Sequence, residues 1–252
     1  MTAGASKRTV ATLKLARDAA WAAILTDASW VAFVRAGDFD ARFYGIYLVE
    51  TYHYVMHNPR HQALVGALSK GQPFNYTKFC YEHAEEETGH EMMAYHDLAS
   101  LGFGDAPIPI PPPHPSTEVF IAYLYWVSQH GNPLRRLGYS FWAEDSYGYI
   151  APLVRRVKEK LALDASQMTF IISHATIDEK HSRDIEEMIE KFCKTEEDWQ
   201  AVEAVMNASL RLQSEMLAQV VKSYQVLKSG GASPYAFLNS LVSGPCRTTS
   251  QS

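Results

Sequence analysis

The chain has 252 residues and a net charge of −5 at neutral pH, with 28 acidic against 23 basic side chains. A chain of this length can bury one large core, and neither a low-complexity tract nor a shift in composition divides it, so we expect a single domain over residues 1–252. The acidic balance argues against nucleic acid as a partner and leaves a small molecule as the expected ligand.

Cysteine usage and the N-terminal sequence indicate a cytoplasmic protein. Cys80, Cys193 and Cys246 are odd in number and lack metal-binding spacing, as expected for thiols in a reducing compartment. The apolar run 19–25 follows several charged residues and is too short to span a bilayer. We therefore expect no membrane segment, and the sequence leaves open whether the protein forms a homodimer.

Apolar residues recur at helical spacing through the first half of the chain and predict an all-α fold. Gly37 ends the first pattern. Asn58 and Pro59 supply a cap and a first-turn proline for a short helix that ends at Gly71. The predicted helices cover about 9–36, 40–57, 58–71 and 75–101.

The second half repeats this helical pattern after a proline-rich segment. Residues 102–115 should run as an extended crossover, after which Ser116 is expected to cap a helix. A later helix starts at Asn132-Pro133 and should break or kink just after Glu144, near 148–152. A long helix over 195–227 follows. The helical core is thus expected over about 9–229, with a loose tail over 242–252.

The most informative motif lies between the helix that starts at Asn132 and the long helix over 195–227. His174, Asp178 and His181 are spaced four and then three residues apart, which stacks their side chains on one helix face. The same face carries Phe170 and Ile185, so it should point into the core. Buried polar groups need partners, and either a metal ion or a hydrogen-bonded core network would supply them.

Three other predicted helices place polar residues on apolar faces. Glu50 lies among aromatic residues, Glu87 and His90 form a Glu-x-x-His motif, and Glu144 ends an apolar stripe. Glu86 is rotated by about 100° from Glu87, toward solvent. Gly89 within a helix costs about 1 kcal/mol relative to alanine, so we expect a local distortion or a close approach beside His90.

Convergence of four helices on one point would make a metal centre. Carboxylates mixed with imidazoles suit iron or manganese. The order Glu, Glu-x-x-His, Glu, acid-x-x-His is also typical of di-iron four-helix proteins. We therefore predict a dinuclear site rather than a structural network. Its candidate ligands are Glu50, Glu87, His90, Glu144, His174, Asp178 and His181.

These motifs resemble those of a known family. The matching stretches are 47–55, Glu82-His83-Ala84-x-Glu86-Glu87-x-Gly89-His90, Gly138-Tyr139 with Glu144, and His174-x-x-x-Asp178-x-x-His181. From about residue 40 to 190 the chain is similar to the haem-oxygenase-like di-iron oxidases and oxygenases, the iron-containing redox enzymes. The resemblance implies a compact haem-oxygenase-like helical bundle. It also implies two iron ions that activate O2 for N-oxygenation, oxidative decarboxylation or C–C cleavage of small amines, amino acids or fatty acids.

The resemblance also implies a division of ligands. One iron would take Glu87, His90 and His181, and the other Glu144, His174 and Asp178, with one carboxylate bridging and Glu50 as an optional extra acid. Family members differ in the acid of the second block, which leaves Glu86 open as a substitute for Glu87. The expected substrate pocket contains Tyr52, His53, His83, Phe141 and Tyr147.

Two other functions fit the same helices. One is a metal-free enzyme that resembles the thiaminase-II and pyrroloquinoline-quinone-synthase branch of the fold, and the inward carboxylates count against it. The other is a non-catalytic metal store of ferritin type. An O2-dependent oxidoreductase is favoured instead by His174, which lies one turn before Asp178, and by the proline-rich crossover.

Overall fold

A computed structural model of the chain describes residues 8–69, 71–104 and 106–243, with the side chains of 174–179 and 243 left out. Within these ranges the chain is almost entirely helical and contains no strand, which confirms the all-α prediction. The helices are α1 (Val10–Asp27), α2 (Ser29–Ala36), α3 (Ala41–Val55), α4 (Asn58–Leu68), α5 (Phe74–Glu86), α6 (Glu91–Ser100), α7 (Pro115–Gln129), α8 (Leu137–Ala143), α9 (Ser146–Leu161), α10 (Thr169–Phe192), α11 (Glu196–Lys228) and α12 (Ser240–Ser243). Short 3-10 turns cover Pro133–Arg136, Ala165–Gln167 and Ala236–Asn239.

The long helix α11 organises the bundle. Thr195 and Asp198 form a capping box at its start, where the sequence predicted the helix to begin, and its sides pack against α1, α2, α3, α7 and α8. Gly138 of α8 lies so close to α11 that an added Cβ would be 2.1 Å from the carbonyl oxygen of Val202. A glycine is required there, because any side chain would push the two helices apart. Among the described residues, no helix is both long and apolar enough to cross a membrane.

Two helices predicted as continuous are interrupted. The pattern over 9–36 forms α1 and α2, which meet at Ala28. The predicted helix over 75–101 ends at Glu86 and resumes at Glu91, so the placement of Gly89 inside a helix was wrong. Gly89 has φ +96°, a conformation that glycine adopts without strain, and this turn is the distortion expected beside His90.

Two predicted caps were also wrong. Asn58 lies inside the first turn of α4, and its amide is drawn into a buried network instead of capping the helix. His114, not Ser116, caps α7, with its Nδ1 accepting from the backbone N–H of Ser116. Asn132 does cap the turn that precedes α8, as predicted.

The helical path is interrupted immediately after α8, which leaves Glu144 at a helix end. This confirms the break expected after that acid. It occurs at residues 144–145, whereas Gly148 and Pro152 both lie inside α9. The core also extends past residue 229, because Tyr235 and Leu238 are buried. Most of the tail predicted to be loose, including Cys246, lies outside the described residues.

Candidate metal centre

The break after α8 and the turn after α5 both face the middle of α10. The turn after α5 supplies Glu87, the last turn of α5 supplies His83 and Glu86, and the break supplies Glu144. His181 of α10 lies within 3.6 Å of the three carboxylates, and its ring makes an edge contact with the ring of His83. Residues far apart in sequence therefore come together because two helices end at the same place.

The structure forms two overlapping groups of possible metal ligands. His83, Glu87 and Glu144 each offer one ligand atom, and these atoms lie within 4.8 Å of one another. His83, Glu86 and His181 meet the same distance limit. Because one nitrogen lone pair binds one metal ion, His83 cannot complete both groups through the same atom. Two ions would need further ligands from the turn at His90 or from α10.

His181 lies between three carboxylates. Its Nδ1 atom is 3.4 Å from Oε2 of Glu144 and 3.6 Å from Oε1 of Glu87, and its Nε2 atom is 3.3 Å from Oε2 of Glu86. The Glu144 carboxylate in particular raises the pKa of His181 to about 9. Burial raises the pKa of Glu144 itself above its usual value. In the metal-free protein a proton on His181 thus offsets part of the negative charge that a metal ion would neutralise.

His83 has the opposite electrostatic character. It is 2% exposed, and burial lowers its pKa to about 4, so its imidazole is neutral. Its Nε2 atom is 3.7 Å from Oε1 of Glu144, and its ring stacks on Phe79. A neutral, buried imidazole beside carboxylates is a good metal ligand. The sequence placed His83 in the substrate pocket, although its spacing of four residues from Glu87 would put both side chains on one face of a continuous helix.

Glu87 is held by a buried network that the sequence did not reveal. Its Oε2 atom accepts a 2.6 Å hydrogen bond from Nδ2 of Asn58 and lies 3.5 Å from Nδ1 of His90. Glu87 raises the pKa of that histidine. Asn58 in turn accepts from the buried Arg136 guanidinium, whose other groups donate to His61 and Ser140. The network thus fixes Glu87 through Asn58 and a buried cation that no sequence motif marked.

Of the other predicted ligands, the described residues Glu50 and His90 do not belong to these two groups. Glu50 is buried elsewhere, where its carboxylate accepts from the Tyr235 hydroxyl at 2.6 Å, the His114 backbone N–H at 3.1 Å and the Thr117 hydroxyl. These three donors supply its hydrogen bonds without a metal. The side chains of His174 and Asp178 lie outside the described residues, although α10 passes through both positions.

A cavity of about 180 Å³ lies beside the carboxylates of Glu87 and Glu144. Its other walls are mostly aromatic and aliphatic side chains from α1, α2, α3, α9 and α10. Of the predicted pocket residues, Tyr147 lines this cavity. Phe141 packs under the Arg17 guanidinium, His53 bonds the Pro111 carbonyl oxygen, and Tyr52 packs against Tyr95. These three residues are not in the cavity wall.

The residues present fit a metal ion. Nε2 of His83 and Nδ1 of His181 are buried and have no hydrogen-bond partner within the described residues, although both face carboxylate oxygens. Buried polar atoms are normally satisfied, and a metal ion would satisfy both nitrogens. The donors are imidazoles and carboxylates without a thiolate, a set that suits iron or manganese.

Solved structures share the fold. A domain of unknown function with a haem oxygenase-like fold from Shewanella denitrificans OS217 is 44% identical, with a TM-score of 0.86 over 90% of this chain and 98% of its own. A TenA homologue from Pyrococcus furiosus has a TM-score of 0.64 at 15% identity, covering 84% of this chain and 98% of its own. A TenA homologue from P. horikoshii OT3 has a TM-score of 0.61 at 12% identity, covering 88% of this chain and 99% of its own. At these low identities the TenA homologues show the fold alone.

The family assignment rests on sequence. No curated protein sequence matches the chain. Residues 46–216 match the family described as iron-containing redox enzymes, and this span contains both ligand groups described above. The chain therefore belongs to the iron-containing redox enzyme family and has its haem oxygenase-like helical fold.

Proposed function

We propose that the protein is a non-haem di-iron oxidase or oxygenase that uses O2 to oxidise a small organic substrate, such as an amine, an amino acid or a fatty acid. One observation carries the proposal: two overlapping ligand groups share the buried His83, and two of their carboxylates, Glu87 and Glu144, also line an apolar cavity. A substrate in that cavity would therefore contact the ligands directly.

Each residue would have a distinct task. His83, Glu87, Glu144 and His181 would hold the metal, and Glu86, His90 and the α10 residues His174 and Asp178 would complete two coordination spheres. Iron, when bound, supplies O2 activation and the electrons for it. Asn58 fixes the orientation of Glu87, as partners of metal ligands commonly do. The aromatic walls exclude water and position the substrate.

Two alternatives are less well supported. A metal-free enzyme would have to leave the buried Nε2 atom of the neutral His83 facing Glu144 without a hydrogen bond. A ferritin-type store would have no use for an apolar cavity beside the ligands. Both alternatives make measurable predictions that differ from those of an oxygenase.

The test is anaerobic titration of the metal-free protein with Fe(II), followed by rapid mixing with O2. We expect about two irons per chain, and O2 consumption that is slow alone and faster with the right compound from a panel of amines, amino acids and fatty acids. Mass spectrometry should show an oxidised product in proportion to O2 used. Iron loading far beyond two per chain with indifference to every compound would indicate a store. Failure to bind iron would indicate the metal-free alternative.

A further inference from the structure

Trp21 of α1 is a rigid part of the cavity wall. It is 2% exposed and lines the cavity that contains Glu87 and Glu144. Its indole stacks on the Tyr149 ring, with centroids 5.1 Å apart and planes 10° apart. It also makes an edge contact with Trp142 at 6.1 Å. These contacts fix the ring, so the direction of its N–H group is set before any ligand binds.

The indole nitrogen of Trp21 has no hydrogen-bond partner within the described residues, although it is buried. The two other tryptophans that line the cavity differ in this respect. Nε1 of Trp30 donates to Ser214 Oγ at 2.9 Å, and Nε1 of Trp142 donates to Ser209 Oγ at 2.8 Å. A buried donor without a partner costs free energy, and an acceptor on a ligand in the cavity would offset that cost.

The charges around the cavity restrict what Trp21 could bind. No lysine, arginine or histidine is among the described residues that line it, and its charged groups are the carboxylates of Glu87 and Glu144. An anionic group placed away from the metal centre would thus be buried without a cation, which is strongly unfavourable. A neutral acceptor at that position needs no such partner.

We propose that Trp21 is a substrate-binding residue whose Nε1–H donates to a neutral oxygen acceptor, such as a carbonyl, ether or hydroxyl group, on a substrate with an otherwise apolar body. This inference rests on the proposed function in that the reacting end of the same molecule would face Glu87 and Glu144. It narrows the substrate class, because the end remote from the carboxylates is uncharged and carries a hydrogen-bond acceptor.

The test compares two probes of nearly the same shape, acetophenone and α-methylstyrene, in which a C=O group is replaced by C=CH2. Binding to wild-type and Trp21→Phe protein is measured by calorimetry, in metal-free protein and again after anaerobic Fe(II) loading. Wild type should prefer the ketone about three- to tenfold, the usual range for one neutral hydrogen bond. The preference should vanish in Trp21→Phe. A preference that survives this change, or no saturable binding of either probe to folded wild type, would overturn the proposal.

Two controls separate the hydrogen bond from the shape and from the metal. Trp30→Phe alters the same wall but removes an N–H that Ser214 already accepts, so it should change the affinity for both probes alike. Benzoate has the same ring with an anionic head, and it should bind metal-free protein more weakly than acetophenone. Tighter binding of benzoate would contradict a neutral substrate end. Because these measurements do not need iron, they can fail or succeed independently of the di-iron assignment.

Thermal stability gives a second readout. Trp21→Phe loses some packing against Tyr149 and Trp142 but leaves no hydrogen-bond partner unsatisfied, so it should lower the melting temperature less than the matching changes at Trp30 and Trp142. Trp30→Phe and Trp142→Phe each leave a serine hydroxyl without its indole donor and should lower the melting temperature. If Trp21→Phe were destabilised as much as Trp30→Phe, Trp21 would have a structural role in place of the proposed one.

Discussion

Asn58 donates from its side-chain Nδ2 to Oε2 of Glu87 at 2.6 Å, and both residues are buried. The other end of the same amide accepts from Arg136 at 2.8 Å, so rotation of the amide would break two hydrogen bonds. Glu87 is therefore presented to the ligand cluster in one orientation. This contact connects the metal centre to a buried cation that would not itself bind metal.

Replacing Asn58 with alanine should weaken Fe(II) binding about 10- to 100-fold, the usual cost of losing a partner of a metal ligand. It should also lower the melting temperature, because Arg136 loses an acceptor in the core. Asn132→Ala is the matched control, since Asn132 also donates to a carboxylate, that of Asp198 at 2.7 Å, on a different part of the bundle. Equal iron affinity in both variants would contradict the role given to Asn58.

His83→Leu should reduce bound iron to background while the far-UV circular dichroism spectrum stays near that of wild type. The physical reason is that His83 is the one residue shared by both ligand groups. His53→Leu serves as the control, because the sequence placed both histidines in the substrate pocket, and His53 instead bonds the Pro111 carbonyl oxygen. Normal iron content in His83→Leu would remove that residue from the site.

Three acids of α5 and its following turn should differ in their effect on iron content. Glu87→Gln should abolish binding, because Glu87 is 4% exposed and contacts both His90 and His181. Glu86→Gln should weaken it only partly, since this half-exposed carboxylate is shared between His181 and Lys180. Glu82→Gln should have no effect, because Glu82 pairs with Lys78 on the surface. Equal losses from Glu86→Gln and Glu87→Gln would mean that both acids bind metal.

Metal affinity should rise with pH across the neutral range. His181 has its pKa raised to about 9 by Glu144, so metal binding below that pH must displace a proton from it. His83 is already neutral and releases none. Mn(II) affinity, measured anaerobically from pH 6.5 to 8.5, should increase by roughly tenfold per pH unit, with at least one proton released. A flat profile would show that His181 is not a ligand.

The stability of the metal-free protein should change in the opposite direction. The folded-state pKa of His181 is above its unfolded value of about 6.5, so its contribution to folding is complete below pH 6.5 and is lost as pH rises through about 9. The melting temperature without metal should therefore fall from pH 7 to 9.5, and saturating Mn(II) should reduce that fall.

The fold could be predicted well from the sequence. The spacing of apolar residues locates the helices, and the resemblance to a known family indicates how they are arranged. The sequence placed Glu87, Glu144 and His181 on inward faces, and the structure brings these three together. It assigned His83 to the substrate pocket and left Glu86 open as a substitute for Glu87, because the place where α5 ends, before the turn at Gly89, was not predicted. Ends of helices depend on tertiary packing more than their interiors do.

Partners distant in sequence account for the other differences. Asn58 followed by proline is a common cap, and only the packing of α4 against α5 shows that its amide belongs to Glu87. Arg136 was not singled out, because a buried arginine cannot be told from a surface one without its partners. Trp21 belonged to a predicted helix, 9–36, to which the sequence assigned no functional residue, and its unsatisfied N–H is visible only in three dimensions.

The hydrogen bond between Glu50 and Tyr235 spans 185 residues and has a consequence for biosynthesis. During translation the helix that carries Glu50 leaves the ribosome long before Tyr235 is made. Until then the Glu50 carboxylate lacks one of the donors that make its burial favourable, so α3 cannot reach its final environment. Folding of the first half should therefore be completed only after Tyr235 has left the ribosome, later than the local, helix-rich contacts of this half suggest.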